Sequence, residues 1–235
     1  MMTTTLAAMI LGGTQSTNID SYLPFGLKDI TFNVSMTKRN SKELGKIDQS
    51  FVQQYSIDSA TVRAKEPFKL RMDARSDETT VMTIVNGGSK LISVPALRIK
   101  KKSNVSEEPG QRQTLMDFIL LTPAAATDFL HPKFVRFDRQ SGDPVFDLTF
   151  ASSLNYPVRH RVWIDKDEHY VTRREWYGTE GQLRATFLFS SPVKVKGIYV
   201  PTVMQVLNAD NKLAGETKYT NIKVNEGLSD SIFDI

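Results

Sequence analysis

The fold is decided by the last third of the chain, which reads Arg-Val-Trp-Ile-Asp at 161 to 165, Arg-Arg-Glu-Trp-Tyr-Gly-Thr-Glu-Gly-Gln-Leu at 173 to 183, Lys-Gly-Ile-Tyr-Val-Pro-Thr at 196 to 202 and Asn-Glu-Gly-Leu-Ser-Asp-Ser-Ile-Phe at 225 to 233. Within it apolar and polar residues alternate. Leu183, Ala185, Phe187 and Phe189 share one side of a strand, and Ile198, Val200, Thr202, Met204 and Val206 share another, with mostly polar residues between them. A period of two is the mark of a strand with one apolar face. Turn residues separate the runs at Asp165 to Glu168, Gly178 to Gly181 and Asn208 to Lys212. Consecutive strands joined by such short turns make an antiparallel meander.

Working towards the N-terminus, Phe146, Leu148 and Phe150 repeat the pattern, and Ile30, Phe32, Val34 and Met36 alternate with Thr31, Asn33, Ser35 and Thr37. Asn40 to Gly45 reads as a turn. A second extended region runs from Phe51 through Arg63 and on to Asp73, and Thr80 to Val85 is a further strand, with Lys90 to Ile99 returning from the hairpin turn at Asn86-Gly87-Gly88. The middle changes period. Leu115, Phe118, Ile119 and Thr122 fall at i, i+3, i+4 and i+7 behind a Thr114 to Asp117 capping pattern, so Thr114 to Leu121 reads as a short amphipathic helix. Pro123 to Leu130 reads as a second, ended by Pro132. The expectation is one mainly β (α+β) domain over 17–235 with two short helices interrupting its strands.

At 235 residues the chain can bury a sizeable core. It has no Cys, which excludes disulfides, thiolate metal sites and a lipidated N-terminal Cys. A formal charge of +4 is far from the dense basic stripe of a nucleic-acid binder, so no nucleic acid is expected as a partner. The one sharp charge run, Arg98 with Lys100, Lys101 and Lys102, reads as a solvated strand end and loop. No apolar run approaches the ~20 residues of a membrane-spanning helix. Residues 1–16 contain an apolar segment, Leu6 to Leu11, without preceding basic residues. It reads as an incomplete signal segment or as a disordered N-terminus.

The order of motifs from Arg161 to Ile235 resembles the C-terminal half of the LolA-like, outer-membrane lipoprotein-sorting superfamily. Glu66 to Asp73 is similar to that family's Pro-aromatic-x-x-Arg-x segment, and Val81 to Pro95 to its strand, Asn-Gly turn, strand unit. The resemblance implies a strongly curved antiparallel sheet forming an incomplete β-barrel, with short helices as a lid over an apolar concave side. It implies a soluble, periplasmic or exported carrier of lipid or lipoprotein acyl chains, working with an inner- or outer-membrane transfer partner and needing no cofactor. A ligand-sensing regulator on the same fold is the alternative. The candidate wall is Phe146, Leu148 and Phe150, then Leu183, Phe187 and Phe189, then Met204, with Leu115, Phe118 and Ile119 from the lid. Trp163 is a further candidate, although alternation leaves the sheet face of both Trp163 and Trp176 open. One position departs from the family: its proteobacterial carriers have a basic residue directly before the proline, where this chain has Glu66, with Lys65 one place earlier.

Enzyme signals are poor. His131, His160 and His169 have no metal-ligand spacing. Asp165-Lys-Asp-Glu-His169 gathers carboxylates and an imidazole, the basis of a rival hydrolase reading, but stands where a hairpin turn is expected and lacks the glycine of a calcium loop.

Overall fold

The computed structural model describes residues 15–76 and 79–235; the signal-like segment lies outside these up to residue 14. The N-terminal strands are β1 (Asp29–Arg39), β2 (Ser59–Lys65), β3 (Lys69–Ser76), β4 (Thr79–Asn86), β5 (Ser89–Val94) and β6 (Ile99–Asn104). After a connection that carries the middle of the sequence come β7 (His131–Phe137), β8 (Pro144–Thr149), β9 (Arg159–Ile164), β10 (Val171–Tyr177) and β11 (Leu183–Ser190). The chain ends with a small hairpin, β12 (Val193–Val195) and β13 (Ile198–Val200), then β14 (Val203–Asn208) and β15 (Leu213–Val224).

Thirteen of these strands form one curved, open antiparallel sheet in the order β6-β5-β4-β3-β2-β1-β15-β14-β11-β10-β9-β8-β7. The two halves of the chain each make a meander, and β1 and β15 join them at the centre, Ile30 opposite Val224 and Val34 opposite Tyr219. The open edges are β6 and β7. The expected mainly β, incomplete-barrel architecture is therefore the observed one.

The core lies on the inner face. Ile30, Phe32 and Val34 of β1, Val62 of β2, Phe146 and Leu148 of β8 and Val206 of β14 are all buried there. Against them pack Leu115, Ile119, Leu120, Leu121, Ala126 and Leu130 from the connection between β6 and β7. Apolar burial at about 25 cal/mol per Å² is what holds this connection onto the sheet.

Several expectations fail locally. Thr114 to Leu121 is not an α-helix but a single 3-10 turn, Leu115–Asp117. Its carbonyls are drawn to the sheet instead: Met116 O accepts from Arg174 Nη1 at 2.6 Å and Phe118 O from the Tyr219 hydroxyl at 2.6 Å. The second expected helix is present in short form: residues 123–129 are helical, with a wide turn over Ala125–Phe129 and Ala126 N donating to Thr122 O at 2.9 Å. The α-helices lie where turn and extended chain were expected, α1 (Ser41–Ile47) and α2 (Gln49–Gln54). Asn40 caps α1 by accepting from Glu43 N at 3.3 Å, and Asp48 caps α2 by accepting from Ser50 N at 2.8 Å. Lys90 to Ile99 is not one strand either, because Pro95 opens a 3-10 turn between β5 and β6. Arg98 is exposed at the end of that turn, and Lys100, Lys101 and Lys102 stand exposed on the edge strand β6, where charge discourages edge-to-edge pairing.

Candidate functional site

Between the inner face and the segment 109–118 lies a cavity of about 520 Å³, partly open to solvent. Its apolar side comes from the central strands and α2: Val34 and Met36 of β1, Ala60 of β2, Phe51 of α2, Phe187 of β11 and Val206 of β14. Phe51 stacks on Trp176 with ring centroids 5.8 Å apart and leans on Phe187 at 6.1 Å. A second aromatic group, Phe129, Phe150 and Tyr156, lines the far side, each ring edge-on to the next at 5.3 Å.

The other end is polar. Arg174 of β10 is buried, its guanidinium 4.1 Å above the Phe187 ring and hydrogen-bonded to Met116 O. Asp117 receives the Thr114 N–H at 2.8 Å. Asp117 meets solvent, yet the protein packed around it pushes its carboxyl upward, and the nearby Arg174 charge pulls the other way. His160 of β9 is pushed down to about 3 by burial, reinforced by the charges of Arg174 and Arg159, so its imidazole is neutral at pH 7. Arg112 lies over two rings, 4.4 Å from Phe68 and 4.8 Å from Phe129. Lys90 reaches in from β5 and donates to Gln111 O at 3.0 Å. Among the described residues four buried side-chain polar atoms have no partner within the protein: Arg112 Nε, Gln113 Oε1, His160 Nδ1 and Arg174 Nε. All four residues line this cavity. Buried polar groups are nearly always paired, so their gathering in one place is informative.

Of the candidate wall residues, Phe118, Phe150, Phe187 and Met204 line the cavity. Phe146, Leu148, Leu115, Ile119 and Phe189 are packed inside the core and do not reach it. Two assignments are corrected. Trp163 pairs with Arg173 and Val145 on the outer face, where its indole N–H donates to Asp138 at 3.2 Å and Arg173 stacks over it at 4.7 Å. Trp176 is the tryptophan that faces inward. Leu183 leaves the inner row because a β-bulge at Arg184 sets it opposite Tyr177; Arg184 itself donates to Ile47 O. Sequence reasoning missed α2 and the polar end altogether. The signal for α1 was Asn40 followed three residues later by Glu43, with Leu44 and Ile47 behind it, and the signal for α2 was Asp48 as its cap. Nothing local marked Arg174 or His160 as inward-facing.

The connection covering the cavity is anchored rather than loose, since Leu115, Met116 and Ile119 to Leu121 are buried while Asp117 is exposed and Phe118 half-buried. Its exposed part is Ser106 to Gln111, Pro109 excepted. Glu66, at the family's basic position, is pushed upward by burial and hydrogen-bonds Thr122 of this connection. Lys65 faces elsewhere, on Leu228 O at 3.0 Å and Asp230 at 2.9 Å. Asp165 to His169 forms the hairpin turn between β9 and β10, its Asp165 carboxylate occupied by the N–H groups of Asp167 and Glu168, and it supplies no residue to the cavity. Among the described residues no cluster of His, Asp or Glu is arranged to hold a metal ion, and no helix is long and apolar enough to cross a membrane.

Comparison with known proteins bears on the fold. A family profile described as an uncharacterized protein matches residues 148–235. No curated protein matches in sequence. Among solved structures, a candidate outer membrane lipoprotein-sorting protein domain from Vibrio parahaemolyticus is similar at a TM-score of 0.64 and 14% identity, covering 92% of this chain and 93% of that one. A DUF1329 family protein from Desulfovibrio piger gives 0.63 at 14% identity, with 92% of each chain covered. A LolA superfamily protein from Nitrosomonas europaea gives 0.61 at 16% identity, covering 92% of this chain and 94% of that one. At these identities the likeness is one of architecture, and it agrees with the open curved sheet and its covered concave side: the fold of this chain is LolA-like.

Proposed function

We propose that the protein is a soluble carrier of the bacterial envelope, periplasmic or exported, which shields the acyl chain of a lipid or lipoprotein in the cavity for transfer towards the outer membrane. The observation that carries this reading is the cavity itself, about 520 Å³ of space under a connection packed on the concave face. That volume falls in the range of small-molecule sites, roughly 300–1,000 Å³. Each methylene moved from water into such a space contributes about 0.8 kcal/mol, enough to hold a chain without covalent chemistry. Exchange with a membrane partner would take place at the exposed part of the 106–111 stretch and at α2, both of which contribute residues to the cavity lining. Fold neighbours of similar extent include a lipoprotein-sorting domain and a LolA superfamily protein, which supports a carrier over a catalyst.

Native mass spectrometry of the purified protein, followed by lipid extraction, tests the reading. A protein that carries acyl chains retains an extractable lipid, and after delipidation it binds a neutral acyl-chain probe with one-to-one stoichiometry. A delipidated protein that binds no such probe refutes it.

A further inference from the structure

We infer that the polar end of the cavity is a head-group subsite for a single acyl chain that ends in an anionic carboxylate or phosphate. The inference rests on the carrier reading and narrows its ligand. Four buried polar atoms without a protein partner belong to residues lining this one space, and three of them are donors or can act as one: Arg112 Nε, Arg174 Nε and His160 Nδ1. An unpaired buried donor is costly, so each favours a ligand that supplies an acceptor.

The two guanidinium groups are oriented before any ligand arrives. Arg174 sits over the Phe187 ring and is pinned by Met116 O, and Arg112 is held over Phe68 and Phe129. Stacking fixes the plane of a guanidinium and leaves its N–H edge free, which is the fork that grips carboxylate or phosphate. Lys90 adds a third cation at the lining. Two carboxylates line the same space. Asp48 is engaged as the cap of α2, and Asp117 is bonded to Thr114 N and faces the Arg174 charge. Three cations against these two carboxylates leave positive charge in excess.

Size selects one chain. At roughly 30 Å³ per water-sized group, a cavity of about 520 Å³ accommodates on the order of 17 non-hydrogen atoms. That is the scale of one palmitate chain.

The test displaces Nile red from the delipidated full-length protein with palmitate, hexadecyl phosphate and hexadecanol, below their aggregation limits and at low ionic strength. The wild type is expected to bind at least one anionic chain about tenfold more tightly than hexadecanol, the worth of one charge-assisted hydrogen bond. Arg112→Gln and Arg174→Gln should bring that ratio close to one while hexadecanol binding stays as it was. Which anion wins tells carboxylate from phosphate. Equal affinity for all three chains overturns the subsite and leaves the carrier standing; so does an undiminished ratio in Arg112→Gln, which alters a half-exposed residue and reports even where Arg174→Gln does not fold. If none of the three displaces the dye, the carrier reading falls and the subsite with it.

Discussion

Filling the cavity separates it from ordinary core more sharply than emptying it. Ala60 is buried on β2 between Val34 and Ala74, and its side chain lines the apolar end of the cavity. Ala60→Phe adds six ring carbons. These occupy part of the 520 Å³ present. In a close-packed core such an insertion costs about 1–3 kcal/mol through displaced neighbours. Into open space the ring instead gains burial, about 1.5–3 kcal/mol when fully enclosed, less about 0.5–1 kcal/mol of lost rotamer freedom. The expected result is unfolding free energy unchanged or raised by up to about 2 kcal/mol in urea titration, together with loss of long-chain probe binding while a much shorter chain still enters. A drop in stability of more than about 1 kcal/mol with long-chain binding intact would show that Ala60 faces packed core and that the acyl chain lies elsewhere.

Hydrogen exchange should find Leu115 to Leu121 among the better protected amides and Ser106 to Gln113 among the least; on adding palmitate, protection should rise in the second stretch and in α2, and a rise confined to 115–130 would mean that the buried connection is the door. His160 has its folded value held near 3, below its unfolded value of 6.5, so the unfolded chain binds the extra proton and stability should fall as pH drops from 6.5 towards 3. Denaturation of His160→Gln across that window should show a shallower decline, and parallel curves for the two proteins would contradict the assignment. Gly215→Ala should cost about 1–3 kcal/mol in chemical denaturation, because a Cβ there would stand 2.5 Å from Tyr55 Cζ; a neutral change would mean that Tyr55 can give way freely.

What could be read without coordinates was whatever alternation encodes. Phe187, Met204, Phe146 and Val34 were placed on an apolar face by period alone, and they are there. Period cannot tell a residue that faces open space from one that faces another side chain, which is why Phe187 and Phe146 looked alike although only the first lines the cavity. Leu183 was misplaced because one inserted residue at Arg184 reverses every side chain beyond it. The helix expected at Thr114 failed because its carbonyls found Arg174 and Tyr219, partners far away in the chain. The polar end was illegible for the same reason: Arg112, His160 and Arg174 come to line one cavity only once the sheet has curved.

The central seam has a consequence for how the chain can be made. β1 and β15 stand side by side in the middle of the sheet, although nearly the whole sequence separates them. A nascent chain stopped between Asn208 and Leu213 therefore holds two half-sheets with nothing to join them, and the inner edge of each is a row of unpaired backbone groups. The joint closes only when the last strand arrives, and closing so long a loop is entropically slow. Until then the polypeptide has no enclosed concavity and can be threaded or held extended. Loss of only the final strand would split the molecule at its centre rather than trim an edge.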